Sequence, residues 1–216
     1  MAKLSTALIA AGLVTACSSS STIAAPKSWF EVEQYTPIQQ RQFCDLAEEY
    51  RSNLSEAFIS RNEIKQNKVK QQRQEDLDGL LPEGKFDNWI ARVVSVKQVN
   101  DQNDPTVDGD VAVVVELKCD VQVGSGQLEV GNSLKWGATI DYNSREYREA
   151  SKLSSGDFVI VSGEFVTIKD FQPGKKETYY ASRPLNSGDL ESSSNKKYGN
   201  GEELFLANIK YFASAR

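Results

Sequence analysis

The acidic segment 101–110, DQNDPTVDGD, is the first place where residue types and spacing could bind a metal ion. Asp101 and Asn103 match the first two ligand positions of a calcium loop. Pro105 then stands where a third ligand belongs, and Thr106 replaces the required glycine. An EF-hand is therefore excluded, and a solvated turn between two strands is the favoured interpretation. The weaker alternative is an adventitious cation site on Asp104, Asp108 and Asp110. We predict no bound metal and no other cofactor.

No set of side chains has the spacing of a catalytic site. The chain contains no histidine, which removes Ser-His-Asp catalysis, Cys-His catalysis and His-ligated zinc. The acidic pairs are sequence neighbours, and such neighbours on a helix do not converge on one point; they are Glu48-Glu49, Glu75-Asp76 and Glu202-Glu203. We therefore predict a non-enzymatic protein, with a hydrolase as the least favoured alternative.

Aromatic residues interleaved with arginine are the side chains best suited to bind a ligand on the β-barrel predicted below, beside its second and third strands. The candidates for this ligand face are Trp136, Tyr142, Arg145, Tyr147, Arg148, Tyr179, Tyr180 and Arg183. Trp136 falls on the same alternating face as Leu134 and Ile140, which favours a position in the core. Tyr142, Tyr179 and Tyr180 are expected at the surface or rim.

Cys44 and Cys119 could form a disulfide in an oxidising compartment. Such a bridge would join the N-terminal helix to the second strand across 75 positions and stabilise the fold by about 4 kcal/mol on the chain-entropy model. The alternative is two separately buried thiols, because cysteine is among the most buried residue types.

Residues 1–16 have the pattern of an export signal, with Lys3 followed by an apolar run from Leu4 to Val14. This run is shorter than the roughly 20 residues that a membrane-spanning helix needs. Leu13-Val14-Thr15-Ala16-Cys17 resembles the lipobox of bacterial lipoproteins, whose cysteine carries fatty acyl chains such as palmitate. The resemblance implies lipidation of Cys17 and, with Ser18 next, an outer-membrane lipoprotein that faces the periplasm. The alternative is cleavage after Ala25, which gives a soluble periplasmic or secreted protein.

An overall acidic balance constrains the partners. The formal net charge is −5 and the pI is about 5.0, so a global positive field for nucleic acid is absent. The predicted membrane contact is therefore the N-terminal lipid, with residues 17–36 as a flexible tether.

Residues 37–84 read as an amphipathic helical segment. The apolar stripe consists of Phe43, Leu46, Ala47, Tyr50, Leu54, Ala57 and Phe58, continued less regularly by Ile64 and Val69. Thr36 before Pro37 is a plausible N-cap. A break is expected near residues 60–62, or fraying after Val69, and Pro82 and Gly84 end the segment. We expect the stripe to pack on the adjacent domain; docking to a partner or to itself is the alternative.

Residues 85–216 predict five strands, which are Trp89–Val99, Val111–Val123, Ser133–Tyr142, Phe158–Lys169 and Leu204–Phe212. A short helix is expected over Arg145–Lys152, and a hairpin or loop is inserted at 170–203. In the second strand every odd-numbered residue is apolar, which predicts an inward row. The turn at residues 154–157 should start the fourth strand, and Gly163 should mark a bulge or sharp bend.

This order of strands, with a helix between the third and fourth, is that of an OB-fold. The residues also resemble the tRNA-anticodon-binding-like OB domains of bacterial exported proteins, over about Ala57 to Phe212. The resemblance lies in Asn62-Glu63-Ile64, in Trp89 to Val93, and in Leu153, Gly156, Asp157, Val159 and Gly163. It implies a mainly β (α+β) fold, a closed five-stranded OB-fold-like barrel with the amphipathic helix beside it. The family's role is uncharacterised.

Two functions remain open at this point. The first is a lipid-anchored binding module of the cell envelope, whose barrel engages a protein, a peptide or a glycan. The alternative is a nucleic-acid-binding OB-fold protein, which the acidic charge disfavours.

Overall fold

A computed structural model describes residues 28–100, 106–130, 133–167, 182–184 and 203–214. The helices are α1 Trp29–Val32, α2 Ile38–Ile59, α3 Glu63–Leu80 and α4 Arg145–Ala150, with 3-10 turns at Glu33–Tyr35 and Pro82–Gly84. The strands are β1 Lys85–Gln98, β2 Val111–Glu116, β3 Gln122–Gly124, β4 Gly126–Val130, β5 Ser133–Gly137, β6 Phe158–Phe165, β7 Ser182–Pro184 and β8 Glu203–Ser214.

Five of these strands close into a barrel in the order β1-β2-β3-β8-β6 and back to β1. All neighbours are antiparallel except β3 and β8, which run parallel and close the cylinder through Gln122–Gly124 and Leu204–Leu206. With α4 between the third and fourth barrel strands, this is the order of an OB-like barrel, and the predicted fold is confirmed. β7 extends the sheet along β8 at Glu203–Phe205.

The long second strand that the alternation predicted is in fact a hairpin. The backbone turns at residues 118–120, where Asp120 has φ 58° and the Leu117 N–H donates to the Val121 carbonyl at 2.8 Å. Leu117 and Val121 face each other across this three-residue loop, so the odd-numbered residues point inward on both strands. The inward row is confirmed, since every odd-numbered residue from Val111 to Val123 is buried. A single strand over this range was wrong.

The predicted third strand also lies elsewhere. Among the described residues, Ser133–Gly137 pairs only with Gly126–Val130 in a separate two-stranded sheet, and the barrel's third strand is the short β3. The buried hydroxyl of Ser125 ties this hairpin to the barrel: it donates to the Ala138 carbonyl at 2.6 Å and accepts from the Val113 N–H at 3.1 Å.

Strand β6 begins and bends where the sequence predicts. Gly156 has φ +94°, and the Asp157 carboxylate accepts from the Ser154 N–H at 2.8 Å, which forms the turn. The register of β6 against β8 shifts between Ser162 and Gly163, so the expected bulge is confirmed. Only a glycine fits at position 163, because the backbone of β8 and the ring of Phe86 lie directly against it.

The helical segment is a hairpin that breaks at residues 60–62 as expected, but α3 continues without fraying to Leu80. The Asn62 side chain caps α3 by accepting from the Lys65 N–H at 3.0 Å. The Thr36 N-cap was wrong: its hydroxyl donates to the Val32 carbonyl and Pro37 precedes α2 without a side-chain cap. Trp29–Tyr35, assigned above to the flexible tether, is helical, and Trp29 packs edge-to-face on Phe158 at 5.1 Å.

Helix α2 closes one end of the barrel through Phe43. Its ring lies 4.9 Å from Trp89, 5.6 Å from Phe165 and 5.3 Å from Phe205, measured between centroids. These three rings belong to β1, β6 and β8, so one side chain contacts three of the five barrel strands. Aromatic pairs of this kind contribute about 0.5–1.5 kcal/mol each beyond the area they bury.

Two glutamines on α2 satisfy backbone groups of the barrel. The Gln40 side chain, only 1% exposed, donates to the Ile90 carbonyl at 2.7 Å and accepts from the Ile90 N–H at 2.8 Å. It therefore acts on β1 as a neighbouring strand would. Gln39 accepts from the Trp89 indole N–H at 3.2 Å and donates to the Lys85 carbonyl at 3.3 Å.

A disulfide joins α2 to the β2–β3 turn. Cys44 and Cys119 are bonded, with their Cα atoms 5.5 Å apart and 75 positions between them in sequence. The Arg51 guanidinium, two turns farther along α2, donates to the Cys119 carbonyl.

Of the predicted insertion at 170–203, only the short strand β7 and Glu203 fall within the described residues.

Gly163→Ala should destabilise the fold by about 1–3 kcal/mol, the usual range for overpacking. A Cβ there would overlap the Asn208 carbonyl oxygen and lie 2.9 Å from Cζ of Phe86. Gly79→Ala is the matched control, because a Cβ at that α3 position meets nothing within 4 Å. It should stabilise by about 0.5–1 kcal/mol. Urea unfolding followed by circular dichroism measures both; equal effects of the two variants would contradict the assigned bulge.

Candidate interaction surface

The predicted ligand-face residues fall into three groups. Tyr142, Arg145, Tyr147 and Arg148 lie on α4 and the turn before it, and Trp136 lies on β5. Tyr179 and Tyr180 lie outside the described residues. Arg183 is in β7, where only the backbone is described. The surface formed by Tyr142, Arg145 and Arg148 is called the α4 surface below.

Local hydrogen bonds fix the start of α4. The Asp141 carboxylate accepts from the Asn143 N–H at 2.7 Å, and the Ser144 hydroxyl oxygen caps the helix by accepting from the Tyr147 N–H at 3.0 Å. These residue types favour this geometry because short polar side chains bond to nearby backbone groups. Tyr142 projects from the turn with 56% of its surface exposed.

The α4 surface lies at the opposite end of the barrel from α2. Residues 106–110, which precede β2, reach the same end, because β2 runs from Val111 here toward the Cys119 turn at the other. Val111 pairs with Ile140 through two hydrogen bonds of 2.9 Å, and Thr139 donates to the Asp110 carboxylate at 2.8 Å. The chain before α4 and the loop before β2 therefore form one continuous rim.

Neighbouring residues of α4 face opposite ways. Tyr147 is half-buried and packs against the main hydrophobic core, so it supports the helix, and its place on the ligand face stays a prediction. Arg145 and Arg148 are exposed and stand three positions apart, which places them side by side on the helix. The surface available to a ligand therefore combines two guanidinium groups with the ring of Tyr142.

Glu149 and Lys152 set the local electrostatics. Lys152 Nζ donates to both carboxylate oxygens of Glu149 at 2.9 and 3.0 Å. This hydrogen bond lowers the pKa of Glu149 below its usual value. Desolvation opposes it, and the charges of Lys152, Arg145 and Arg148 lower the pKa further. Segment 141–152 carries three cations and three carboxylates in all, so the segment that carries the α4 surface has a balanced charge.

Trp136 does not occupy the core position that its shared face with Leu134 and Ile140 suggested. It is half-buried, and it lies outside the two hydrophobic clusters that the described residues form. The reason is that β5 leaves the barrel in a separate hairpin, while Ile140 rejoins it at Val111. Trp136 therefore stays a candidate contact residue at the edge of the barrel.

A groove of about 290 Å³ between α2 and α3 was not predicted. Leu46, Tyr50, Val69 and Arg73 line it, together with polar residues of both helices. The Arg73 guanidinium lies 4.3 Å from the Tyr50 ring centroid and 4.6 Å from that of Phe205, so cation–π contacts connect α3 to α2 and to β8. The sequence signal for this groove was Val69, which continues the apolar stripe of α2 irregularly into α3 and lines the groove opposite Leu46 and Tyr50.

Within the described ranges, no group of three or more Cys, Asp or Glu residues could hold a metal ion. Of the acidic segment 101–110, the first five residues lie outside those ranges. Asp110 is engaged with Thr139. No helix among the described residues is both long and apolar enough to cross a bilayer.

Lys152→Ala should raise the pKa of Glu149, because it removes the hydrogen bond that lowers it most. A carboxyl whose folded pKa is lowered stabilises the fold above its unfolded pKa and loses this effect as pH falls through the folded value. The contribution of the pair should therefore be complete above the ordinary pKa of a glutamate and should be lost as pH falls through the lowered pKa of the folded state. An NMR titration of the Glu149 carboxyl carbon measures the shift. Lys97→Ala, at an exposed β1 position outside this cluster, should leave the titration unchanged; an unshifted Glu149 in Lys152→Ala would contradict the pairing.

Comparisons with known proteins do not add a relative to these observations. No family model, no curated protein and no solved structure matches the chain. The resemblance to tRNA-anticodon-binding-like OB domains therefore stays a prediction from the residues. The OB-like barrel itself rests on the observed strand pairing.

Proposed function

We propose that the chain is a lipid-anchored binding module of the bacterial cell envelope, with acylated Cys17 in the outer membrane and the barrel facing the periplasm. The leader and the Leu13-Val14-Thr15-Ala16-Cys17 stretch support the anchor. Several acyl chains on one cysteine give stable attachment, whereas one gives marginal attachment. Cleavage after Ala25, with a soluble periplasmic or secreted product, is the competing outcome.

The Cys44–Cys119 disulfide is the observation that carries the envelope location. Disulfides persist in oxidising compartments such as the periplasm and are rare in the reducing cytosol. This bridge lies between α2 and the barrel, where it holds the end of the fold closed by Phe43. Its placement therefore supports an architecture that matures after export.

The α4 surface supports a binding role. OB-like barrels bind their ligands on strands and loops at one side and rim of the cylinder. Here an exposed tyrosine stands beside two arginines that can bind carboxylates in a bidentate manner or stack on rings. Since the chain has no histidine, we assign these residues to recognition of a protein, peptide or glycan and not to catalysis.

A nucleic-acid ligand is the second candidate, and the same tyrosine and arginines favour it, because bases stack on aromatic rings and on guanidinium planes. The balanced charge of segment 141–152 and the net charge of −5 rank it second. Titration with single-stranded oligonucleotides at low and moderate salt separates the two. Binding with a steep salt dependence would favour nucleic acid, and no binding at low salt would remove it.

Replacing Cys17 should abolish acylation. The full-length chain with Cys17→Ser should incorporate no alkyne-labelled fatty acid and should disappear from the mature outer-membrane fraction, because the thiol that carries the lipid is gone. Ser18→Ala is the control and should be labelled as the parent is. Labelling that persists in Cys17→Ser, or a mature N-terminus at Pro26, would contradict the anchor.

A photoreactive phenylalanine analogue at Tyr142 should capture the envelope partner in living cells. Adducts at this position should fall by about tenfold or more when Arg145→Ala and Arg148→Ala are combined, since charge-assisted hydrogen bonds contribute about 1.5–3 kcal/mol each. The same analogue at Tyr211, an exposed tyrosine on β8, is the control. Equal adducts at both positions, or adducts that do not depend on the arginines, would contradict binding at the α4 surface.

A further inference from the structure

The tip of the α2–α3 hairpin exposes an unusual amount of apolar surface. Phe58, Ile59 and Ile64 are 55%, 81% and 79% exposed. The stripe pattern assigned Phe58 and Ile64 to the packed face of the helix, and the structure contradicts that assignment. Their neighbour Ala57, which belongs to the same predicted stripe, is buried as expected. Three large apolar side chains therefore surround one tight turn and lie in solvent.

The backbone holds this tip in one conformation. The Ser60 N–H donates to the Glu56 carbonyl at 3.0 Å, and the Arg61 N–H donates to the Phe58 carbonyl at 2.9 Å. Arg61 then adopts φ 53°, and Asn62 caps the next helix. Because both helix ends are capped at the turn, Phe58, Ile59 and Ile64 are presented by a fixed scaffold and not by a loose loop.

The charges next to these side chains run against the overall acidity of the chain. Segment 56–70 carries four basic residues and two acidic residues, which are Arg61, Lys65, Lys68, Lys70, Glu56 and Glu63, a net charge of +2. All four cations are exposed. They form no ion pair with any residue in the part of the chain that the structure describes. Segment 71–84, nearer the barrel, has a net charge of −3, so the hairpin is electrically polarised along its length.

Apolar side chains with an excess of lysine and arginine in the adjoining segment are the pattern of peptides that bind the interface of an anionic bilayer. The apolar groups enter the boundary between headgroups and acyl chains, and each cation near the surface favours anionic lipid. A groove for a nucleic acid would instead need aromatic stacking surfaces, and two of the three apolar residues here are isoleucine. A protein partner is a weaker fit, because the exposed tip is a convex turn and not an apolar groove.

From this arrangement we propose that the hairpin tip docks into the headgroup region of an anionic phospholipid bilayer, with Phe58, Ile59 and Ile64 inserted and Arg61, Lys65 and Lys68 against the phosphates. This contact is separate from the proposed acyl anchor and does not require it.

Tryptophan fluorescence at the tip tests the proposal in the full-length chain. Ile59→Trp should show a blue-shifted emission on vesicles that contain phosphatidylglycerol, with quenching by bromine on the lipid acyl chains. Tyr142→Trp, another exposed position at the other end of the barrel, is the control and should show neither. Spectra of the parent chain are subtracted to remove its own three tryptophans.

Variants of the tip separate the charge from the apolar contribution. In the Ile59→Trp chain, each of Lys65→Glu and Lys68→Glu should lower the ratio of docked to undocked protein by about fivefold or more. Ile64→Asn should lower it by about tenfold. Glu75→Lys, on the acidic half of α3, is the control and should not lower the ratio of docked to undocked protein. Vesicles of phosphatidylcholine alone should give little quenching.

Three outcomes would overturn the proposal: quenching at position 59 no greater than at position 142, quenching that ignores the Lys→Glu changes, or a blue shift that appears without vesicles and grows with protein concentration. The last would mean that a second copy covers the tip. Acylation of Cys17, measured by mass spectrometry on the same sample, reports the anchor separately. An unacylated chain added to preformed vesicles tests the tip in the same way, so failure of one proposal is distinguishable from failure of the other.

Discussion

The packing of Phe43 against the rings of β1, β6 and β8 is the interaction on which the rest of the structure depends. A five-stranded cylinder is open at its ends, and an open end exposes apolar side chains and unpaired backbone groups to water. Phe43 fills this end, while Gln40 pairs with the Ile90 peptide beside it. Because α2 must lie where both contacts are made, the direction of the helical hairpin and the position of its tip follow from them.

The two ends of the barrel are closed by different means. At the α2 end the closure is aromatic and covalent, with the disulfide placed between helix and turn. At the α4 end a helix of six residues contributes Ala150 and Tyr147 to the core, and its outer face is polar. The end closed by Phe43 and the disulfide therefore supports the long hairpin, and the α4 end presents the tyrosine and arginines proposed to contact a ligand. This division assigns two different environments to two surfaces of one small fold.

Local signals predicted much of this structure. The odd-numbered apolar row from Val111 to Val123 and the bulge at Gly163 were both readable, because each depends on a few adjacent residues. The turn at residues 118–120 was hidden, since a three-residue loop preserves the alternation across it. Phe58 and Ile64 were misplaced because helical periodicity predicts which residues share a face, not where the partner surface ends. The exposed positions of Tyr142, Arg145 and Arg148 follow from capping of α4, whereas Trp136 depended on a separate hairpin that only tertiary pairing defines.

The disulfide also determines how the molecule responds to mechanical load. Cys44 lies in the second turn of α2 and is bonded to Cys119 in the turn that joins the barrel's second and third strands. Tension applied at the N-terminus passes through α1 and the first turn of α2, then crosses at Cys44 into the β2–β3 turn. The residues between the two cysteines form a covalent loop that lies outside this path, so the disulfide carries the tension past them. Stretching the chain from its front end can therefore extend the segment before Cys44, whereas residues 44–119, which include the hairpin tip, cannot be drawn out while the disulfide is intact.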